Sequence, residues 1–144
     1  MIAPTAWAGY SLGNSKLEDF MSRAFVFPGQ GAQTIGMGRA LAEAYPAARA
    51  VFEEVDAALG EALSALIWEG DIAELTLTQN AQPALMATSM AALAALEAEG
   101  LGMEHAAFVA GHSLGEYLAL CAAGAIGLAD TARLLRIRGM AMQE

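Results

Sequence analysis

A short apolar run, Ala107-Phe108-Val109-Ala110, leads without any linker into Gly111-His112-Ser113-Leu114-Gly115, and a stretch of helical composition from Glu116 to Ala123 follows, ending at Gly124. A strand that turns directly into a helix belongs to an α/β class with a parallel sheet, where helices carry the chain back between strands. G-x-S-x-G in that setting places serine on a sharp turn with its Oγ clear of the sheet. The flanking glycines let strand and helix backbones approach without a Cβ between them. A plainer reading of the same five residues stays open: a serine N-cap with glycines that serve only the turn.

The rest of the chain fits that class. Ala24-Phe25-Val26-Phe27 is aromatic and β-branched and stops at Pro28-Gly29, so it predicts a first buried strand. Arg39 to Leu59 has helical spacing, with Pro46 splitting it in two and Gly60 closing it. Short helices are expected over Ala62 to Trp68 and around Asp71 to Leu75, then a turn at Thr78-Gln79-Asn80. Pro83 is placed in the first turn of a long helix that runs to Glu99 and closes at Gly100. Leu128 to Glu144 reads as a last helix with Gly127 as N-cap and Asp130 in its first turn.

Charge and composition narrow the function. Among 144 residues, 7 are basic and 16 acidic, a net charge of −9, which offers no footprint for neutralising nucleic-acid phosphates. One cysteine, Cys121, and two histidines are too few soft ligands for a zinc site, and the cysteine usage points to the cytoplasm. Ala84 to Leu96 falls short of the ~20 apolar residues that a bilayer needs, so it is read as a buried helix and no membrane is expected as a partner. Residues 1–22 lack a basic start and a long apolar core; they read as a disordered leader or an over-long start ahead of a domain at 23–144.

Few other side chains carry chemistry. His112 is next to Ser113 and should leave the backbone on the opposite face, as a hydrogen-bonded structural residue, while His105 should be exposed. The loop Gly29-Gln30-Gly31-Ala32-Gln33-Thr34 lacks the third glycine of a dinucleotide fingerprint. It reads either as a ligand-facing loop at a strand end, presenting the Gln30 amide, or as a solvated turn. At about 100° per residue, Leu134, Leu135, Ala141 and Met142 share a stripe with Arg138 in its middle, while Arg133 and Arg136 project from the other side. A guanidinium there must snorkel, meet a buried acid or await an anionic ligand. Gln82, at the start of an apolar helix, poses the same question.

Four segments occur in order: Phe25-Val26-Phe27-Pro28-Gly29-Gln30-Gly31-Ala32-Gln33, Ala81-Gln82-Pro83-Ala84-Leu85, Gly111-His112-Ser113-Leu114-Gly115-Glu116 and Arg138-Gly139-Met140-Ala141-Met142-Gln143. Together they resemble the amino-terminal part of the malonyl-CoA:acyl-carrier-protein transacylase family and the related acyltransferase domains of polyketide and fatty-acid synthases. The resemblance implies an α/β-hydrolase-like acyltransferase core, incomplete here. The family's catalytic histidine, its ferredoxin-like small subdomain and its remaining strands would come after residue 144. It also implies Ser113 as nucleophile, Gln30 and the Leu114 N–H at the oxyanion hole, Gln82 in the acyl pocket and Arg138 on the malonyl carboxylate. The reaction implied is ping-pong transfer from malonyl-CoA to acyl carrier protein in fatty-acid synthesis, with no cofactor beyond the partner's phosphopantetheine. Other outcomes are a polyketide-synthase domain, a serine esterase or a non-catalytic fragment. With neither histidine able to reach Ser113, the 144 residues alone should show little activity. They should also fold poorly or self-associate through an exposed sheet edge and the apolar faces of Leu85 to Leu96 and Leu134 to Met142.

Overall fold

The computed structural model describes residues 23–143, so the leader reading of residues 1–22 lies outside the described residues. Two strands, β1 (Arg23–Phe27) and β2 (Ala106–Gly111), pair in parallel, with Phe27 opposite Gly111. Both strands therefore end at the same level, the end at which ligands of open α/β sheets bind. Between them run five helices: α1 (Arg39–Ala44), α2 (Pro46–Leu59), α3 (Leu63–Glu69), α4 (Ile72–Thr76) and α5 (Thr78–Ala98). After β2 come α6 (Leu114–Ala122) and α7 (Leu128–Ala141).

Local chemistry accounts for most of the boundaries. Tyr45, ahead of Pro46, is held extended at φ −123°, ψ 114°, and so separates α1 from α2. Asp71 caps α4, its carboxylate accepting from the Ala73 and Glu74 N–H groups. Gly60 takes φ 69° and closes α2. α6 begins at Leu114, directly after Ser113 at the sharp strand-to-helix turn, or elbow, and ahead of the expected Glu116; α7 stops at Ala141, short of the expected Glu144.

The start of α5 departs from expectation. Thr78-Gln79-Asn80 forms its first turn, with the Asn80 and Ala81 N–H groups both donating to the Leu77 carbonyl. The Asn80 amide folds back onto the Glu74 carbonyl and carboxylate, a contact that the turn propensity of Asn does not foresee. Pro83 consequently lies inside the helix, where its missing N–H leaves the Gln79 carbonyl without the usual donor four residues on.

α5 is the centre of the fold, packed against α2 and α7. Leu85, Met86, Ala87, Ala91, Leu93 and Ala95 are buried there, contrary to the expectation of an exposed face from Leu85 to Leu96. The helices of this chain cover it. Phe52 of α2 and Trp68 of α3 close one side, edge to face at 5.0 Å between ring centroids. The expected exposure along α7 is present, where Leu134, Ile137, Met140 and Met142 stand out. Val26 and Phe108 are also exposed, on one face of the sheet. No helix among the described residues is long and apolar enough to cross a membrane.

The α7 wheel is also corrected. Its buried stripe is Thr131, Ala132, Leu135 and Gly139, three of them small, so the helix seats closely on α5. Leu134 and Met142 are exposed, and Arg138 lies on one flank of the stripe instead of its middle. Arg136 lies on the opposite flank, at 17% side-chain exposure, where it meets Glu61 and the Asn80 amide oxygen. Only Arg133 projects outward as expected, to Asp130 and the Ala58 carbonyl.

Candidate active site

Ser113 stands between β2 and α6 at φ 56°, ψ −114°, the only positive φ outside glycine among the described residues. A backbone held there is disfavoured by about 1–3 kcal/mol and persists only when its surroundings fix it. Those surroundings are glycines. A Cβ on Gly111 would strike the Gly115 carbonyl and the Glu116 nitrogen, and one on Gly115 would strike the Phe27 and Pro28 carbonyls. The turn is closed by Gly115 N–H to the His112 carbonyl at 2.9 Å and Glu116 N–H to the Ser113 carbonyl at 3.1 Å. The plain N-cap reading fails, because the Ser113 side chain makes no cap bond to α6.

Its hydroxyl turns to α7 instead. Arg138 Nη2 donates to Ser113 Oγ at 2.9 Å, and Arg138 Nη1 donates to Gln82 Oε1 at 2.9 Å. Gln82 is 1% exposed, and its Nε2 donates to Met142 Sδ at 3.4 Å, so the amide oxygen is left for the guanidinium. The Tyr117 ring, one helical turn beyond Ser113, lies 5.8 Å from Arg138 Cζ and offers its π face to the cation. Of the three sequence readings of Arg138, a buried acid is absent among the described residues: its partners are a hydroxyl and an amide oxygen.

The remaining site residues are less closely joined. Leu114 is the first residue of α6, and an N–H at that position has no intrahelical acceptor. Gln30 is exposed, and its side chain makes no hydrogen bond to another described residue. Its loop nonetheless reaches the elbow: the His112 N–H donates to the Phe27 carbonyl at 3.2 Å, and a Cβ on Gly29 would meet His112 Nδ1 at 2.7 Å. His112 is exposed and bonds no described side chain, which corrects its reading as a hydrogen-bonded structural residue. His105 is exposed and pairs with Glu104 at 3.3 Å. A cavity of about 380 Å³ among α1, α2 and α3 is lined by Arg39, Phe52 and Trp68 and includes none of these residues.

Sequence reasoning missed Tyr117, Asn80 and Arg136. Tyr117 was accessible, since four residues along a helix returns to the same face as Ser113. Asn80 and Arg136 were not, because their meeting depends on how α7 lies on α5.

The chain belongs to the acyl transferase domain family, whose model matches residues 24–144. It is 54% identical over 121 residues to the malonyl CoA-acyl carrier protein transacylase of Bacillus subtilis strain 168, a match covering 84% of this chain and 37% of that protein. It is similar in structure to the acyl-carrier-protein-S-malonyltransferase of Bartonella henselae, at 65% identity and TM-score 0.82, over 85% of this chain and 40% of the other. A malonyl-transacylase in complex with its type II polyketide-synthase acyl-carrier protein is similar at 44% identity and TM-score 0.77, over 83% of this chain and 38% of the other. The chain thus spans about two-fifths of the length of the relatives it matches.

Proposed function

We propose that these residues carry the nucleophile and the carboxylate-binding arm of a cytoplasmic enzyme of fatty-acid synthesis, one that transfers malonyl groups from malonyl-CoA to acyl carrier protein. The observation that carries this reading is Arg138, whose guanidinium reaches both Ser113 Oγ and Gln82 Oε1 at 2.9 Å. A cation fixed beside a nucleophile, with no described carboxylate to neutralise it, suits an acyl group that ends in a carboxylate of its own.

In the first half-reaction Ser113 Oγ attacks the thioester carbonyl carbon. The new C–O bond forms, the C–S bond breaks, and coenzyme A leaves as the thiol with the proton taken from Oγ. Charge on the carbonyl oxygen falls to the Leu114 N–H at the start of α6 and to a second donor from the Gln30 loop. In the second half-reaction the phosphopantetheine thiol attacks the serine ester and Ser113 recovers its proton. The base that moves these protons is read as lying outside the described residues, since the side-chain partner of Ser113 Oγ here is Arg138 and neither His105 nor His112 bonds it. Throughout, the malonyl carboxylate takes the guanidinium edge that Ser113 Oγ occupies here, while Gln82 keeps hold of the other nitrogen.

Incubating the gene product with malonyl-CoA and measuring intact mass tests this. A single malonyl adduct should appear, map to Ser113 and vanish in Ser113→Ala. An adduct of the same size in that variant would overturn the assignment.

A further inference from the structure

Two guanidinium groups reach from α7 onto α5 in one register: Arg138 meets Gln82, and Arg136, two residues earlier, meets Asn80, two residues earlier. Only Arg138 has a part in the reaction above. We propose that Arg136, clamped between Glu61 and Asn80, is a positioning residue that sets the place of the Arg138 guanidinium beside Ser113, and so helps to determine the preference for acyl groups bearing a carboxylate. The inference rests on the reading of Arg138 as the carboxylate's partner.

The clamp is built on both sides. Asn80 is buried, and its Nδ2 is committed to the Glu74 carbonyl at 2.9 Å and the Glu74 carboxylate at 3.2 Å. That fixes the amide with its oxygen facing α7, as the bond to Met142 does for Gln82. Glu61, in the connection between α2 and α3, meets the same guanidinium, so Arg136 ties the last turns of α7 to two separate elements. Between the two arginines sits Gly139, where a Cβ would come within 2.6 Å of Gln79 Cα and 2.7 Å of the Thr78 carbonyl. Backbone lies on backbone there, a contact with no side chain to stop sliding or rotation. Arginines on the two flanks supply what glycine cannot. Arg136 is set in surroundings dry enough to lower its pKa by desolvation, an unfavourable place for a charge that only decorates a helix.

A fork-to-carboxylate bond is directional, so a guanidinium displaced by a fraction of an ångström loses the carboxylate substrate and leaves a neutral one nearly as it was. Malonyl and acetyl transfer to acyl carrier protein should therefore be compared in the gene product, in Arg136→Met, in Glu61→Gln and in Arg138→Ala. Arg136→Met should lower malonyl transfer on the order of tenfold or more and acetyl transfer by less than about threefold. Glu61→Gln, at a half-exposed surface position, should shift the ratio the same way by a smaller factor. With Arg138→Ala in place, adding Arg136→Met should change neither rate further, which a merely structural role would not predict. Equal losses for both acyl groups in Arg136→Met, with Arg138→Ala still selective, would overturn the inference alone. If Arg136→Met does not fold, an unchanged ratio in Glu61→Gln does the same. If Arg138→Ala depresses both acyl groups alike, the carboxylate reading itself fails and takes this inference with it.

Discussion

Arg138 and Ser113 lie 25 residues apart in sequence, yet Nη2 of the one donates to Oγ of the other at 2.9 Å, joining the last turn of α7 to the elbow before α6. A guanidinium so placed discriminates between acyl groups as well as binding them. Arg138→Ala should reduce malonyl transfer by about tenfold to a hundredfold, in line with roughly 1.5 to 3 kcal/mol for a charge-assisted bond. Acetyl transfer should be spared or improved, and steady-state rates with the two thioesters would show it.

Gln82 offers a complementary change. Gln82→Glu puts a carboxylate where an amide oxygen now accepts from Arg138 Nη1 at 2.9 Å. The protein would then carry its own competitor for the guanidinium. Malonyl transfer should fall more than acetyl transfer, and the gap should narrow as pH drops and the new carboxyl takes a proton.

Backbone strain at Ser113 can be measured apart from its hydroxyl. Ser113→Ala and Ser113→Gly both remove the bond to Arg138, but only glycine is at ease at φ 56°, ψ −114°. At an ordinary site Ala is the more stable of the two. Here Ser113→Gly should exceed Ser113→Ala by about 1 kcal/mol in urea unfolding, the strain term less the extra freedom of the unfolded glycine.

Cys121 should be chemically silent. Burial first, and the charge of Glu54 after it, push its thiol above the ordinary 9.0, against a hydrogen bond with Thr131 that pulls the other way. Its contribution to stability is therefore present below pH 9.0 and lost as pH rises through the folded value, because the unfolded chain releases the proton first. A thiol reagent should label Cys121 only as fast as the native protein opens, and malonyl-CoA should leave it untouched.

The elbow was legible in the sequence because its requirement is local: two glycines and a serine at fixed spacing are what a strand needs to turn into a helix without Cβ collisions. Pro46, Gly60 and Gly100 marked their breaks for equally local reasons. The α7 face was misread because a wheel weighted by hydrophobicity favours Leu134 and Met142, whereas close approach to α5 selects the small residues Thr131, Ala132 and Gly139. Asn80 looked like a turn residue until its amide found Glu74. The Gln30 loop, exposed at a strand end, carried two readings in the sequence, and its one side-chain bond among the described residues is internal, the Gly31 N–H donating to Gln33 Oε1 at 3.1 Å. In each case the missing information was the position of a second element.

The contact between Gly115 and the carbonyl end of β1 has a consequence for the order in which the molecule assembles. The elbow is bounded on one side by a strand that the ribosome delivers five helices earlier, so residues near Ser113 in sequence cannot by themselves hold it at its unfavourable backbone angles. Closing that parallel pair spends the loop entropy of the whole excursion from Phe27 to Ala106, the kind of long-range step that slows folding. The nucleophile's conformation is thus a late product of chain topology. Amide exchange should report it so, with the His112 N–H, which bonds the Phe27 carbonyl, opening together with the strand pair and not with the first turn of α6.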